Sequence, residues 1–232
     1  MISFATATGE SMVKNWNSRL CLRLLLLTCF LSIGIAANAG SNVAVELTGA
    51  GGAENGLGSN YAYGEYLMPY YVTINSSAPV AVICDDYIHT VSIGDQWTAL
   101  VSTFSNLSGT RFGVTDTTQY HEAAWIASQI NSSSPLANIA GAQFAIWALF
   151  YNGTPMEPGE QTWLNAAAAA EAANYYGMNF SDVEILTPVN PSSPQEYFFF
   201  IPEPSALVDL GMGLLAFAAI WSGRRRLTST AL

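Results

Sequence analysis

Cys84 is the residue whose chemistry this sequence constrains most. The chain has three cysteines, and we predict below that Cys21 and Cys29 are removed with an N-terminal signal. A lone remaining cysteine cannot form an internal disulfide. Cys84 is therefore expected to be an inert buried thiol, a partner in an intermolecular bond, or a chemically modified residue.

Two predicted elements surround Cys84 and one glutamine with apolar residues. Residues 78–84 form a short, nearly all-apolar segment, which is typical of a buried strand. Residues 139–150 favour a helix that Asn138 can cap. Gln143 is the only strongly polar side chain in that helix. We therefore expect the helix to be buried, with Gln143 facing the end of the strand that carries Cys84.

Hydrophobic periodicity along the rest of the domain predicts an α+β fold. Residues 49–64 are rich in glycine and lack periodicity, which indicates a loop. Asp116 and Gln119 have the spacing of a capping box at the start of a helix. Strands, then helices, then strands should give an antiparallel β-sandwich or barrel-like sheet with a small group of packed helices. The predicted strands are 42–47, 65–75 with an interruption at Pro69, 78–84, 87–97 with a turn around Gly94-Asp95, 183–186 and 197–201, and the predicted helices are 116–130, 139–150 and 160–176.

The first 39 residues have the layout of a secretory signal peptide. Three basic residues precede an apolar run over residues 24–35. Ala37 and Ala39 then supply the small side chains that signal peptidase needs. We predict cleavage after Ala39 and export of the chain that follows.

The C-terminal end carries a second targeting pattern. Pro202-Glu203-Pro204 interrupts regular structure, an apolar stretch follows over residues 206–221, and Arg224-Arg225-Arg226 lies near the chain end. The stretch, if it is helical, is long enough to cross most of a bilayer as a transmembrane helix, and the arginines would keep their end in the cytoplasm. Asp209 within it departs from a uniformly apolar pattern, and an ordinary C-terminal anchor is the alternative to a sorting signal. This order of elements resembles the PEP-CTERM sorting signal of exported bacterial proteins. The resemblance implies recognition and processing of residues 201–232 by an exosortase-type membrane protease.

The region between these signals, residues 40–200, is long enough for one domain. Its only basic side chain is that of Arg111, whereas the whole chain carries 17 Asp and Glu residues. Strong acidity without basic patches argues against nucleic acid and anionic membrane surfaces as partners, because Lys and Arg attract both. The composition suits a soluble extracellular domain.

The segments around Cys84 and Gln143 resemble those of bacterial surface thioester domains. Gln143-Phe144-Ala145-Ile146-Trp147 matches the Gln-x-Ala-Ile-Trp motif of that family, and Ala81-Val82-Ile83-Cys84-Asp85 is similar to its cysteine segment. The resemblance implies a Cys84–Gln143 thioester, formed when the thiolate attacks the side-chain amide and ammonia leaves. Fixed contact and excluded water favour such an attack. Amines or hydroxyls on a surface could then open the thioester and become covalently attached.

Two positions depart from the thioester-domain pattern. Ile83 only partly satisfies the preference for an aromatic or large apolar residue before the cysteine, and Ala142 stands where the family usually has threonine. A core cysteine and a helix glutamine bonded to a backbone group would explain the same residues without any crosslink.

Other candidate sites are incomplete. Asp85, Asp86 and His89 could contribute to a metal site, but they lack a full ligand set with the usual spacing, so we expect no metal and no other cofactor. Acidic residues directly after a strand are more often turn residues. We therefore expect Asp85 and Asp86 to be turn residues.

The sequence thus predicts a non-enzymatic, exported and C-terminally sorted surface or extracellular-matrix protein that attaches covalently through the Cys84–Gln143 thioester. Signal peptidase and an exosortase-type protease are its expected processing partners. A secreted hydrolase is one alternative, with Glu122 and Asp85 as acid and base facing each other across a cleft. The other is a module that binds extracellular polysaccharide non-covalently through exposed aromatic residues, for which the candidates are Trp97, Trp125, Trp147 and Trp163.

Overall fold

The computed structural model describes residues 40–113, 117–192 and 194–201, together with Gly213. Residues Ala36–Ile201 belong to one compact unit, to which all the elements below belong. The predicted signal peptide, Asp116, the Pro202-Glu203-Pro204 motif, the apolar stretch apart from Gly213, and the arginine cluster lie outside the described residues. Among the residues that are described, no helix is both long and apolar enough to cross a membrane.

The described residues contain nine β-strands, six of which close a barrel. They are β1 (Asn42–Ala50), β2 (Gly56–Leu57), β3 (Tyr61–Ala62), β4 (Glu65–Tyr66), β5 (Tyr70–Ile74), β6 (Val80–Cys84), β7 (Gln96–Thr103), β8 (Val183–Pro188) and β9 (Tyr197–Phe200). Six antiparallel strands close the barrel in the order β1-β5-β6-β9-β8-β7 and back to β1. β2 pairs in parallel with β1, and β3 pairs with β4 in a separate hairpin. The prediction of an antiparallel, barrel-like sheet is confirmed.

The alternation of side chains in β1 explains how the barrel is filled. Val43, Val45 and Leu47 are buried, while Asn42 before them and Ala44 between the two valines are exposed. Residues paired directly across two strands project to the same face of the sheet. The cross-strand partners of the three buried residues therefore also face the interior, and these are Ala99, Trp97, Ile74 and Val72.

Three α-helices of the described chain complete an α+β core. They are α1 (Thr117–Ser128), α2 (Leu136–Phe150) and α3 (Glu160–Ala172), followed by the 3-10 turns Asn174–Gly177 and Phe180–Asp182. Residues 139–147 of α2 are all buried, as the scarcity of polar residues predicts. α2 and α3 approach closely at two glycines, because a Cβ on Gly141 would lie 3.1 Å from the carbonyl carbon of Gly159. Barrel and helices share one hydrophobic core cluster.

The strand predicted to begin at Tyr87 is wrong, whereas the turn predicted around Gly94-Asp95 is present, since the backbone N–H of Asp95 donates to the carbonyl of Ser92 at 3.0 Å. The chain has no strand over residues 87–95, and β7 begins at Gln96. The cause is Asp86, whose Oδ1 accepts hydrogen bonds from the backbone N–H groups of Ile88 at 3.1 Å and His89 at 3.2 Å. These bonds hold the chain in a turn where apolar residues alone suggested extended structure.

Two helix boundaries also differ from the prediction. α2 begins at Leu136, and Asn138 does not cap it; the backbone N–H of Asn138 already bonds to the carbonyl of Pro135 at 2.9 Å. α3 ends at Ala172 instead of residue 176, because Tyr175 and Tyr176 adopt left-handed backbone conformations, with φ of 49° and 54°. Such conformations cannot continue a right-handed helix.

Candidate functional site

Cys84 is the last residue of β6, and none of its surface is exposed. Its thiol donates to the backbone carbonyl of Asp86 at 3.3 Å. The indole of Trp147, from α2, lies beside the sulfur, but its N–H is not aligned for a hydrogen bond. Burial, and then the neighbouring acidic groups of Asp85 and Asp86, raise the pKa of the Cys84 thiol well above its usual value. The thiol is therefore protonated, which protects it from oxidation.

Gln143 lies directly against the backbone of Cys84. Its amide Nε2 donates to the carbonyl oxygen of Cys84 at 2.7 Å, and its Oε1 accepts from the backbone N–H of Met68 at 3.2 Å. Gln143 is fully buried. The prediction that it faces the end of the strand carrying Cys84 is confirmed. We call these two residues, Cys84 and Gln143, the thiol–amide pair.

The residues that follow Cys84 enter a buried charged network. Asp85 and Asp86 have no exposed surface. Nε of Arg111 lies 2.9 Å from Oδ2 of Asp86. This contact is an ion pair without a hydrogen bond, because Nε–H has no acceptor in hydrogen-bonding geometry. Nδ1 of His89 lies 2.9 Å from the same oxygen. The expectation that these acids are turn residues holds for Asp86, which organises the turn described above, yet both side chains belong to the core.

Glu196, just before β9, provides a third buried carboxyl group. Its oxygens accept from the backbone N–H of Arg111 at 2.8 Å, from the hydroxyl of Tyr120 at 2.5 Å and from the hydroxyl of Thr187. Burial, and then the charge of Glu196, raise the pKa of Asp85 well above its usual value. The oxygens of Asp85 meet no N–H or O–H donor among the described residues. The raised pKa and the lack of a donor favour a protonated Asp85 beside the carboxylate of Glu196.

We call Asp85, Asp86, His89, Arg111 and Glu196 the acid–guanidinium cluster. With Asp85 protonated, two carboxylates face Arg111, which is the only Lys or Arg among the described residues. The guanidinium also donates to the carbonyls of Pro191 at 3.0 Å and Pro194 at 2.7 Å. The cluster thus ties the segment after β6 to the loop before β9, next to the thiol–amide pair.

The structure does not assemble the acid and base of the hydrolase alternative. Asp85 is buried against Glu196, whereas Glu122 lies on α1, where burial and the charge of Glu171 raise its pKa. No three His, Cys, Asp or Glu side chains of the described chain form a group that could hold a metal ion. Of the four candidate tryptophans, Trp147 is buried, and the others are partly buried against the core: Trp97, Trp125 and Trp163.

Sequence reasoning missed Arg111 and Glu196 as partners of the residues after Cys84. One signal was present, because the single cation of an acidic domain must pair with any carboxylate that becomes buried. Sequence spacing could not show which carboxylates those are. In comparisons of this chain with protein families, curated proteins and solved structures, no family model, protein or structure matches.

Proposed function

We propose that this chain is an exported, C-terminally sorted surface or extracellular-matrix protein whose domain forms a Cys84–Gln143 thioester for covalent attachment. One contact supports the thioester part of the proposal. Gln143, 59 positions from Cys84 along the chain, is fully buried with its amide nitrogen 2.7 Å from the carbonyl oxygen of Cys84. This proximity supports the resemblance to thioester domains on grounds independent of the motif, while the backbone bond itself is also the one that a core glutamine without a crosslink would make.

The hydrogen bonds of Gln143 suit attack on its amide carbon. The backbone N–H of Met68 donates to Oε1 at 3.2 Å, so it would stabilise negative charge that develops on that oxygen. The bond from Nε2 to the carbonyl of Cys84 fixes the amide plane. Burial of both residues excludes the water that would hydrolyse the product.

The atoms of the reaction balance without a cofactor. The Cys84 sulfur bonds to the side-chain carbon of Gln143, the bond from that carbon to the amide nitrogen breaks, and the thiol proton leaves with the nitrogen as ammonia. Because the pKa of the Cys84 thiol is raised by burial, the proton must be transferred as the sulfur attacks. Later attack by an external hydroxyl or amine would return the thiol and join Gln143 to the target.

Export and sorting are proposed from the two terminal patterns. Ala37 and Ala39 close a signal peptide pattern, while Pro202-Glu203-Pro204 and the arginines at 224–226 bracket the apolar stretch. We expect no enzymatic turnover, because a thioester that is consumed by attachment acts once. The hydrolase alternative gains no support, since Asp85 and Glu122 do not face each other.

Mass spectrometry of the chain purified from an exporting host tests the thioester. We expect the wild type to be lighter than its processed sequence by one ammonia and methylamine to form an adduct on Gln143. Cys84→Ala should abolish both, whereas Gln129→Ala, which removes an exposed glutamine, should retain both. A wild-type mass equal to the sequence mass, with Cys84 freely titratable after unfolding, would overturn the thioester.

The same sample tests processing separately. We expect termini at Gly40 and near Pro202, as cleavage by signal peptidase and by an exosortase-type protease would leave. Recovery of peptides covering residues 224–232 from a stable extracellular form would contradict sorting and indicate a retained anchor. That result would leave the chemistry of Cys84 and Gln143 untouched.

A further inference from the structure

Three tyrosines form a surface over the helix that carries Gln143. The Tyr63 ring lies 6.0 Å from that of Phe144, and the Tyr87 ring lies 5.2 Å from that of Trp147. Tyr151 packs beside Tyr87, with ring centroids 6.1 Å apart and planes at 27°. Phe144 and Trp147 are buried, while Tyr63 is 55% and Tyr151 38% exposed. We call Tyr63, Tyr87 and Tyr151 the tyrosine platform.

The local backbone holds two of these rings in place. Tyr63 and Gly64 form the two-residue turn between β3 and β4, with φ of 57° and 95°. The first position of such a turn is usually Asn or Gly and not Tyr, so the turn geometry alone does not explain why a tyrosine stands at position 63. Gly153 lies under the Tyr151 ring, because a Cβ there would come within 2.6 Å of that ring. A platform that is held before binding loses less entropy when a ligand docks.

The charges beside the platform define what can dock on it. Burial and the acidic groups of Glu65, Tyr151 and Glu157 raise the pKa of the Tyr87 hydroxyl. Arg111, the single Lys or Arg of the described chain, is occupied in the acid–guanidinium cluster. A surface with acidic groups and no cation repels polyanions, which include nucleic acids, acidic polysaccharides and anionic membranes.

We propose that the tyrosine platform of Tyr63, Tyr87 and Tyr151 docks an uncharged polysaccharide by stacking against its sugar rings. Tyrosine presents an apolar face together with a hydroxyl, which matches the apolar faces and hydroxyl rims of sugars. The binding is reversible and does not depend on the proposed thioester. The platform packs on Phe144 and Trp147, which lie on the same helix as Gln143.

Affinity electrophoresis of the detergent-solubilised full chain tests this inference. The gels would contain neutral polymers of defined composition, namely an α-glucan, a β-glucan, a mannan and a galactan, or the polyanion alginate. We expect retardation by at least one neutral polymer, none by alginate, and release by free oligosaccharide of the retarding polymer. Retardation by none of the neutral polymers, or by alginate, would overturn the inference. Binding that free oligosaccharide cannot reverse would also overturn it, since that behaviour belongs to covalent capture.

Substitutions locate the binding on the platform. Tyr63→Asn and Tyr151→Ala should each weaken retardation about tenfold, and Gly153→Ala should weaken it by displacing the Tyr151 ring. Tyr63→Asn also suits the turn, so loss of binding without loss of stability would separate a docking role from a folding role. Tyr176→Asn is the matched control, because Tyr176 is 73% exposed with φ of 54° but lies beyond α3. Equal effects at positions 63 and 176 would contradict the assignment.

Discussion

The thiol–amide pair and the acid–guanidinium cluster meet at the end of β6, yet they are stabilised in opposite ways. Gln143 is neutral, and both of its hydrogen bonds go to backbone groups, those of Cys84 and Met68. The cluster consists of ionisable side chains, and Arg111 is its single guanidinium. Chain neighbours Cys84 and Asp85 therefore belong to two buried sites with different chemistry.

The difference predicts which site would carry the proposed thioester chemistry and which site stability depends on more. A buried amide with both groups hydrogen-bonded costs little, and in the proposed reaction its carbonyl carbon is the atom that the Cys84 sulfur attacks. Buried carboxylates are tolerable only with a cation and a retained proton, which here are supplied by Arg111 and Asp85. We expect substitutions in the cluster to affect the free energy of unfolding most, and substitutions in the pair to affect reactivity first.

Arg111→Met should have the largest effect. It leaves Asp86 and Glu196 buried without a cation, and breaking one side of a buried ion pair typically costs about 3–5 kcal/mol. Urea unfolding followed by fluorescence would measure the loss. The loss should shrink as the pH is lowered, because burial already raises the pKa of Glu196 and removal of the opposing Arg111 charge makes that carboxyl still easier to protonate.

Arg111→Lys is the control for charge. Lysine keeps a positive charge but cannot reproduce the planar donor set that reaches the carbonyls of Pro191 and Pro194, so its cost should be intermediate. A cost below about 1 kcal/mol for Arg111→Met, the range of exposed ion pairs, would show that the cluster is not the stabilising site.

Gln143→Leu should have the second largest effect on stability. It leaves the N–H of Met68 and the carbonyl of Cys84 buried without partners, at about 1–3 kcal/mol for each unsatisfied group. The comparison is best made in a chain that carries Cys84→Ala, so that thioester chemistry does not contribute. Gln129→Leu, at an exposed position, should change the free energy of unfolding by less than about 0.5 kcal/mol.

The two sites also differ in how far the sequence predicts them. The pair was predictable because its surroundings are local, since residues 78–84 and 139–150 are apolar runs that must be buried. The cluster was not predictable, because Asp86, Arg111 and Glu196 meet only after the barrel has closed. Charge pairing over such separations leaves no periodic signal in the sequence.

The same distinction applies to the fold. Alternation in β1 and the apolar segment of β6 predict strands because each has a buried face that the sequence displays. A turn stands after Asp86 where a strand was predicted, because the Asp86 side chain accepts hydrogen bonds from the backbone N–H groups of Ile88 and His89. α3 stopped early because Tyr175 is left-handed, a conformation that helix propensity does not foresee.

Glu184 extends the comparison to a buried acid that has no cation. It lies on β8 with 3% of its surface exposed, and burial raises its pKa to about 7. Oε2 has no hydrogen-bond partner among the described residues. Because the folded state holds the proton more tightly than the unfolded state, Glu184 should lower stability as the pH rises from about 4.5 through about 7.

Glu184→Gln tests this pH dependence. The variant and the wild type should be similar at acidic pH, and the variant should become the more stable protein by up to about 3 kcal/mol near pH 8, because the pKa rises from 4.5 to about 7 and each pKa unit corresponds to about 1.4 kcal/mol. Urea unfolding at several pH values would measure the difference. The raised pKa values of Asp85 and Glu196 also make the free energy of unfolding fall with rising pH. They do so equally in the variant and the wild type, so their effect cancels from the difference. A difference that does not change with pH would contradict the raised pKa.

Asn138→Ala should have the smallest effect, and it tests what holds the helix that carries Gln143. A true N-cap asparagine contributes about 0.5–2 kcal/mol. Asn138 is exposed, lies inside α2 and makes no side-chain bond that caps the helix, so we expect a change below about 0.5 kcal/mol. Asn179→Ala is the matched control, because the Asn179 side chain does accept from the backbone N–H of Ser181 at 3.1 Å. If unfolding measurements gave both substitutions the same cost, Asn138 would be acting as a cap, and Gln143 would depend on that cap as well as on packing of the buried face of α2.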